Sequence, residues 1–332
     1  MAARFGRVSR HQVNQPSLTL PSFAKINWNL QILGKRADSY HEVRTVLQTI
    51  TLADALHFAV SNDAEISLSC DDPQIPVDGR NLVMRAALAL RDRYKTHRGA
   101  HIRLDKNIPP KGGLGGGSSN AAVSLLALRH LWKLEATAAE LSEIAATLGA
   151  DVPFFLLGGR ALASGTGTTV SALPDKPQQH LIVITPNASV STTDAYAALN
   201  SSALTTFRQP PILSSSLEDA NFEDSRLSTE GEDLNNDFES VIFDMEPEIR
   251  RAREALLQAG ARAALLAGSG SSVFGIFSGR EAQQRATSKI VSEAGWRIFP
   301  CDTLSRIEYV RALSLSDISF LRSFNSEFDI GA

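Results

Sequence analysis

The sequence predicts an α+β fold, in which strand-like and helix-like segments interleave without the regular alternation of a parallel sheet. Three observations carry this. Thr19–Leu33 alternates apolar and polar residues as a half-buried strand does. Asn81–Tyr94 repeats its apolar residues at helical spacing. A glycine-rich run, Lys111–Asn120 (KGGLGGGSSN), sits between one strand-like and one helix-like segment.

The first residues, MAARFGRVSRHQVNQPS, are basic and lack acids, which resembles the start of a transit peptide. The stretch is short and has no clear amphipathic face, so residues 1–18 are expected to form a disordered tail. In Thr19–Leu33, Ala24, Ile26, Trp28, Leu30 and Ile32 fall on one face, with Lys25, Asn27, Asn29 and Gln31 on the other. Gly34–Glu42 reads as a loop, and Ala55–Val60, Ala64–Cys70 and His101–Ile108 as strands. Ala121–Leu134 is apolar at helical spacing. Thr137–Leu148 is a helix opened by a Thr137/Glu140 capping box and closed by Gly149. A second half is expected from Gly158. It holds a buried strand at Leu181–Thr185, a helix at Glu246–Ala259 and a strand pair across Ala263–Phe277. The stretch Asn200–Asp233, rich in Ser, Asp, Glu and Pro, reads in part as a flexible insertion.

The chain has 332 residues, 43% hydrophobic and 21% charged, which suits a soluble globular protein of one large or two medium domains. A net charge of −3 with no basic stripe argues against a nucleic-acid partner, and no apolar run is long enough to span a membrane. Cys70 and Cys301 are far apart and form no metal motif, so a reduced, cytoplasmic setting is expected.

A glycine-rich turn that opens a helix is a phosphate-binding device. Glycines admit the ligand close to the backbone amides, and the helix N-terminus adds unpaired N–H groups. Ser118 and Ser119 add hydroxyls for phosphate oxygens or a metal. A flexible linker is the competing reading, but linkers separate domains and are not usually wedged between strand and helix. Two familiar patterns fail. Ser118, not Lys, follows the last glycine, and Ser118 also stands where the dinucleotide fingerprint requires its third glycine. Two further small-residue clusters occur, Ser164–Thr169 (SGTGTT) and Ala267–Ser272 (AGSGSS). The second is a hairpin turn or a second loop over phosphates.

Asp151, before Val152-Pro153, suits a helix N-cap; it also suits a general base that takes a hydroxyl proton in phosphoryl transfer. Lys25 is a solvated lysine or, if it meets Asp151, a group that keeps that carboxylate ionised and stabilises alkoxide charge. Tyr40 and His41 are a loop packing pair or a stacking site for a planar base. Tyr196 lies in DAYAAL, which looks helical, and is a packing residue or a second stacking partner.

PPKGGLGGGSSNAA resembles the phosphate-binding motif of the GHMP kinases, which act on galactose, homoserine, mevalonate and phosphomevalonate. FAKINWNLQILGKRADSYHEV, LGADVPFFLLGG and LLAGSGSSVFGIF are similar to one branch, which acts on 4-diphosphocytidyl-2-C-methyl-D-erythritol in non-mevalonate isoprenoid synthesis. The resemblance runs from about Phe23 to Phe277. It implies a two-domain fold: a ribosomal-protein-like N-terminal domain at 19–157 and a ferredoxin-like C-terminal domain at 158–332, with the insertion near 200–233. It further implies ATP and Mg²⁺ as cofactors, a small-molecule substrate, and a monomer or weak homodimer.

By position, Lys25 and Asp151 fall on the family's catalytic pair, which implies that Asp151 orients or deprotonates the C2 hydroxyl while Lys25 polarises it. The phosphate loop covers Pro109, Pro110, Lys111, Gly112, Gly113, Leu114, Gly115, Gly116, Gly117, Ser118 and Ser119, with no catalytic role for Lys111. Asn81, Leu82, Lys106 and Asn120 fall on the nucleotide side. Asn27, Tyr40, His41, Thr192 and Tyr196 fall on the acceptor side, where Tyr40 and Tyr196 sandwich the cytosine and His41 reads its edge. Gly268 and Ser269 border the same cleft. The family loop has Gly where this chain has Ser39, which costs on the order of 1 kcal/mol if that Gly takes a positive φ. Another GHMP kinase is the nearest rival. A non-catalytic regulator of the same fold is disfavoured by the intact Lys25, Asp151 and glycine loop.

Overall fold

In the computed structural model, residues 16–38, 40–61, 63–203 and 234–313 are described. Residues 1–15 of the expected tail, most of the expected insertion and Ser39 lie outside them.

The chain opens with two long strands, β1 (Ser17–Lys35) and β2 (His41–Ser61), then β3 (Ile66–Cys70), α1 (Leu82–Tyr94), β4 (Gly99–Asp105) and α2 (Gly116–Trp132). Next come α3 (Ala138–Leu148), α4 (Val152–Leu157), β5 (Arg160–Gly165), β6 (Thr169–Ala172), β7 (His180–Thr185) and α5 (Thr192–Ala203). The chain continues through β8 (Asn235–Asn236), α6 (Glu239–Met245), α7 (Pro247–Gln258), β9 (Ala263–Leu266) and β10 (Val273–Phe277). It ends with α8 (Arg280–Lys289), β11 (Arg297–Asp302) and α9 (Arg306–Ala312).

One sheet runs β3-β4-β2-β1-β8, with β5 paired to β2 and β6 to β5. The other runs β11-β7-β10-β9. β5 and β6 follow the boundary expected at Gly158, yet they extend the first sheet. The chain then returns to that half again. Leu304, Tyr309 and Leu313 join the helical core, and the Tyr309 hydroxyl donates to the Phe155 carbonyl at 2.5 Å.

β1 and β2 are the spine. One face of the pair meets α1–α4 through Phe23 and Leu47, and the other meets the second sheet through Ala24, Ile26, Val46 and Ile50. Residues 45–50 of β2 are therefore buried without a break, and their alternation is lost. This is why the first half of β2 does not read as a strand. In β1 the pairing shifts between Phe23 and Ala24 and again between Asn27 and Asn29, as β-bulges do. The face expected to be polar is also covered, so Lys25 and Asn27 are only 3% and 2% exposed.

The capping box of α3 forms as expected, Thr137 accepting from the Glu140 amide and Glu140 reaching back to Thr137. α2 starts five residues before the expected Ala121. Gly115 takes a left-handed turn at φ 71°, and Gly116 to Ser119 are helical despite low intrinsic propensity, because packing overrides it.

Candidate active site

The glycine run leads from β4 into α2, and packing holds it in shape. Gly113 has φ +74°, and a Cβ there would lie 1.9 Å from the carbonyl oxygen of Ala267. The AGSGSS segment is the wall in question: the Ser272 amide donates to the Gly112 carbonyl at 3.1 Å. Gly115 has φ +71°, and a Cβ there would meet the Phe155 ring at 2.8 Å and Lys25 Cγ at 3.0 Å. Replacing Gly113 by Ala must therefore move backbone against backbone, beyond the roughly 1–2 kcal/mol of the left-handed conformation. We expect a clear fall in thermal midpoint and loss of nucleotide affinity. A Gly113→Ala variant with unchanged melting and nucleotide binding would contradict this packing.

The loop forms a wall common to two cavities. The larger, about 520 Å³, also takes in Lys25, Asn27, Asp151, Thr192, Tyr196, Gly268 and Ser269. The smaller, about 270 Å³, takes in Asn81, Leu82, Lys106, Pro109, Pro110 and Asn120. Lys111, Gly113, Gly115 and Ser118 line both. A separate cavity of about 350 Å³ between Gln48 and Arg262 shares no lining residue with either.

Lys25 Nζ stands 3.5 Å from Asp151 Oδ2 and donates to Asn27 Oδ1 at 2.9 Å. Asn27 Nδ2 donates to Thr45 Oγ1 at 2.8 Å, and Thr45 passes the chain on to the Asn29 carbonyl. The lysine is buried, and Asp151 is 36% exposed to the larger cavity. Asp151 precedes α4, yet its backbone is α-helical in conformation and its side chain makes no cap hydrogen bond. Asp151 thus stands at the expected N-cap position of α4 without its side chain capping the helix, and the reading of a solvated Lys25 is overturned. The carboxylate is left free to accept a proton from a ligand hydroxyl, beside a cation that offsets the resulting alkoxide charge.

On the acceptor side, Tyr196 is half-buried, edge-on to Phe238 at 4.9 Å, and its ring is stacked by His41 at 4.4 Å and 15°. Burial, and next the negative charge of Asp151, pushes the Tyr196 phenol pKa up. Tyr40 is 66% exposed and lies outside the cavity lining. The resemblance implies a cytosine sandwiched between Tyr40 and Tyr196 with its edge read by His41; here the His41 ring covers one face of Tyr196. Thr192 and Ser269 hydroxyls meet at 3.0 Å, and Gly268 approaches Lys25 so closely that a Cβ would lie 3.2 Å from Nζ.

On the other side, Leu82 lines the smaller cavity, while Asn81 caps α1, accepting from the Val83 amide and donating to Pro76. Lys106 does not extend freely into the cavity. Its ammonium is held by both oxygens of Asp54 and by the Ile108 carbonyl. Asn120 lines the cavity from α2, with Nδ2 on Asp54. Of the two serines, Ser119 is fully buried and accepts from Ser22 Oγ at 2.7 Å, so Ser118 alone faces both cavities.

Sequence reasoning missed Asp54 and Thr45, polar residues inside a strand whose first half it did not see. Thr166 and Gly167 also line the larger cavity; the SGTGTT cluster was their only signal.

A nucleoside triphosphate fits this donor set. Backbone amides at the start of a 17-residue helix, a left-handed glycine before it and Ser118 face the cavities. Among the described residues, no group of three or more acidic, His or Cys side chains could hold a metal. No helix there is long and apolar enough to cross a membrane.

Comparison with known proteins gives matches at both ends of this site. Residues 81–159 match the GHMP kinases N terminal domain, and residues 220–295 the GHMP kinases C terminal domain. The chain is 40% identical over 283 residues to the 4-diphosphocytidyl-2-C-methyl-D-erythritol kinase of Solibacter usitatus, covering 84% of this chain and 87% of that one. It is 37% identical over 288 residues to the enzyme of that name from Pelobacter propionicus, covering 87% and 99%. A crystal structure of 4-(cytidine 5'-diphospho)-2C-methyl-D-erythritol kinase superposes with a TM-score of 0.67 at 33% identity, over 86% of this chain and 99% of that one.

Proposed function

The chain belongs to the GHMP kinase family, in its 4-diphosphocytidyl-2-C-methyl-D-erythritol kinase branch, and on that premise we propose the following reaction. It transfers the γ-phosphoryl group of ATP to the C2 hydroxyl of 4-diphosphocytidyl-2-C-methyl-D-erythritol, giving ADP and the 2-phosphate, a step of non-mevalonate isoprenoid synthesis. The observation that carries the reading is the Lys25–Asp151 pair, 3.5 Å apart, in the cavity that shares the glycine loop with its neighbour.

ATP occupies the smaller cavity, with Leu82 on the adenine side and its phosphates along Lys111–Ser118. The acceptor occupies the larger cavity, so that its hydroxyl and the γ-phosphorus meet at the shared wall. A bond forms from the C2 oxygen to the γ-phosphorus, and the bond from that phosphorus to the β-bridging oxygen breaks. Asp151 takes the hydroxyl proton, and Lys25 offsets the charge left on oxygen. Mg²⁺, when bound, neutralises phosphate charge. Ser118 would be the side chain to help hold it, and phosphate oxygens and water would supply the remaining ligands.

Tyr196 and His41 form the base side of the acceptor pocket. Tyr196→Ala is expected to weaken the cytidyl acceptor by about 1–3 kcal/mol, the stacking range, and to leave the KM for ATP unchanged. Equal weakening of both substrates would remove Tyr196 from that role. The reaction itself is tested by product identification. ³¹P NMR of the mixture should show a new monoester on C2 in equal amount to ADP. ADP formed without that ester, or an ester elsewhere on the acceptor, would refute the proposed transfer.

A further inference from the structure

Asp54 is fully buried on β2, and five hydrogen bonds converge on its carboxylate. Lys106 Nζ donates at 3.1 Å to Oδ1 and at 2.9 Å to Oδ2. The backbone amides of Asn107 and Ile108 both donate to Oδ1 at 2.7 Å, and Asn120 Nδ2 donates to Oδ2 at 3.0 Å. Every donor flanks the glycine loop. Lys106 to Ile108 lead into it, and Asn120 lies in the second turn of the helix that leaves it. A Cβ on Gly116 would lie 3.4 Å from Lys106 Nζ, so the lysine ammonium sits just beneath the helix start.

Burying a carboxylate and an ammonium is costly, and an apolar pair of equal volume fills a core as well or better. An apolar pair cannot bind two successive backbone amides and a carboxamide from the far side of a loop. A carboxylate, which only accepts, also fixes the Asn120 amide with its nitrogen inward. The cluster joins the entry and exit of the loop whose amides would meet phosphate.

We propose that Asp54 is a positioning residue for the nucleotide phosphates, acting through Lys106, the Asn107–Ile108 backbone and Asn120. Lys106 then serves the nucleotide as a strut beneath the loop. This rests on the ATP-dependent reading above.

Asp54→Asn keeps the size, leaves one oxygen for the backbone amides and strips Lys106 of its counter-charge. The first readout is the Kd of a fluorescent ATP analogue without acceptor. We expect it about tenfold or more weaker than for the unaltered protein, in keeping with loss of a buried charge-assisted contact. In turnover, the KM for ATP should rise by a similar factor while the KM for the acceptor stays constant, a split that general loosening would not give. If Asp54→Asn fails to fold, the doubly neutral variant Asp54→Asn with Lys106→Gln buries no unpaired charge, and the same split is expected of it. A folded variant of either kind that binds the analogue like the unaltered protein overturns the inference, as does an equal rise in both KM values. Failure of the unaltered protein to bind the analogue would overturn the ATP-dependent reading first, and this inference with it.

Discussion

Asp151→Asn should lower kcat by about 10²–10⁴-fold, the range for loss of a general base, with little change in the KM of either substrate. Asn preserves the volume and the amide geometry before α4. The side chain makes no cap hydrogen bond to lose and is a third exposed, and the buried Lys25 that loses its counter-charge keeps its hydrogen bond to Asn27, so the fold should hold with at most a modest fall in thermal midpoint. What disappears is the ability to accept a proton beside Lys25. Steady-state kinetics alongside thermal melting checks this. A variant that melts normally and keeps more than about a tenth of the kcat, against the 10²-fold lower bound, would show that Asp151 does not take the proton.

Lys25→Met should lower kcat by about 10²–10³-fold, the cost of removing one group that stabilises charge in the transition state. Met fills much of the same space. Asn27 Oδ1 loses its donor, at about 1–3 kcal/mol, while the cost of burying the ammonium is relieved. The net change in stability should therefore be small beside the change in rate. Lys25→Arg should not restore activity. A Cβ built on Gly115 would lie 3.0 Å from Lys25 Cγ and one on Gly268 would lie 3.2 Å from its Nζ, so the side chain is closely flanked and a bulkier guanidinium should be displaced from Asp151. Full activity in Lys25→Arg would contradict this close packing, and normal kcat in Lys25→Met would contradict the role.

Much of this site was legible because its parts are local. A glycine run before an apolar helix, a capping box at Thr137 and Asp151 before Val-Pro are short-range signals, and the family motifs fixed Lys25 and Asp151 as partners. Local sequence could not decide what Asp151 does. Its cap and base readings differ only in where a side chain 126 positions from Lys25 ends up, and that depends on how α4 packs against α2 and α3. The first half of β2 was illegible for a physical reason: burial on both faces erases the alternation that marks a strand. With it went Thr45, which extends the Lys25–Asn27 chain, and the brace around Asp54 was also unseen. β5 and α9 depend on long-range pairing with β2 and the helical core, which no window of sequence contains.

The central claim is one acceptor and one phosphoryl donor. It is tested most directly by ADP release with ATP and Mg²⁺, comparing 4-diphosphocytidyl-2-C-methyl-D-erythritol with mevalonate, phosphomevalonate and homoserine. Turnover confined to the cytidyl acceptor, and lost in Asp151→Asn, is the predicted result. Turnover on one of the other alcohols, or none on any from folded protein that binds ATP, would contradict it.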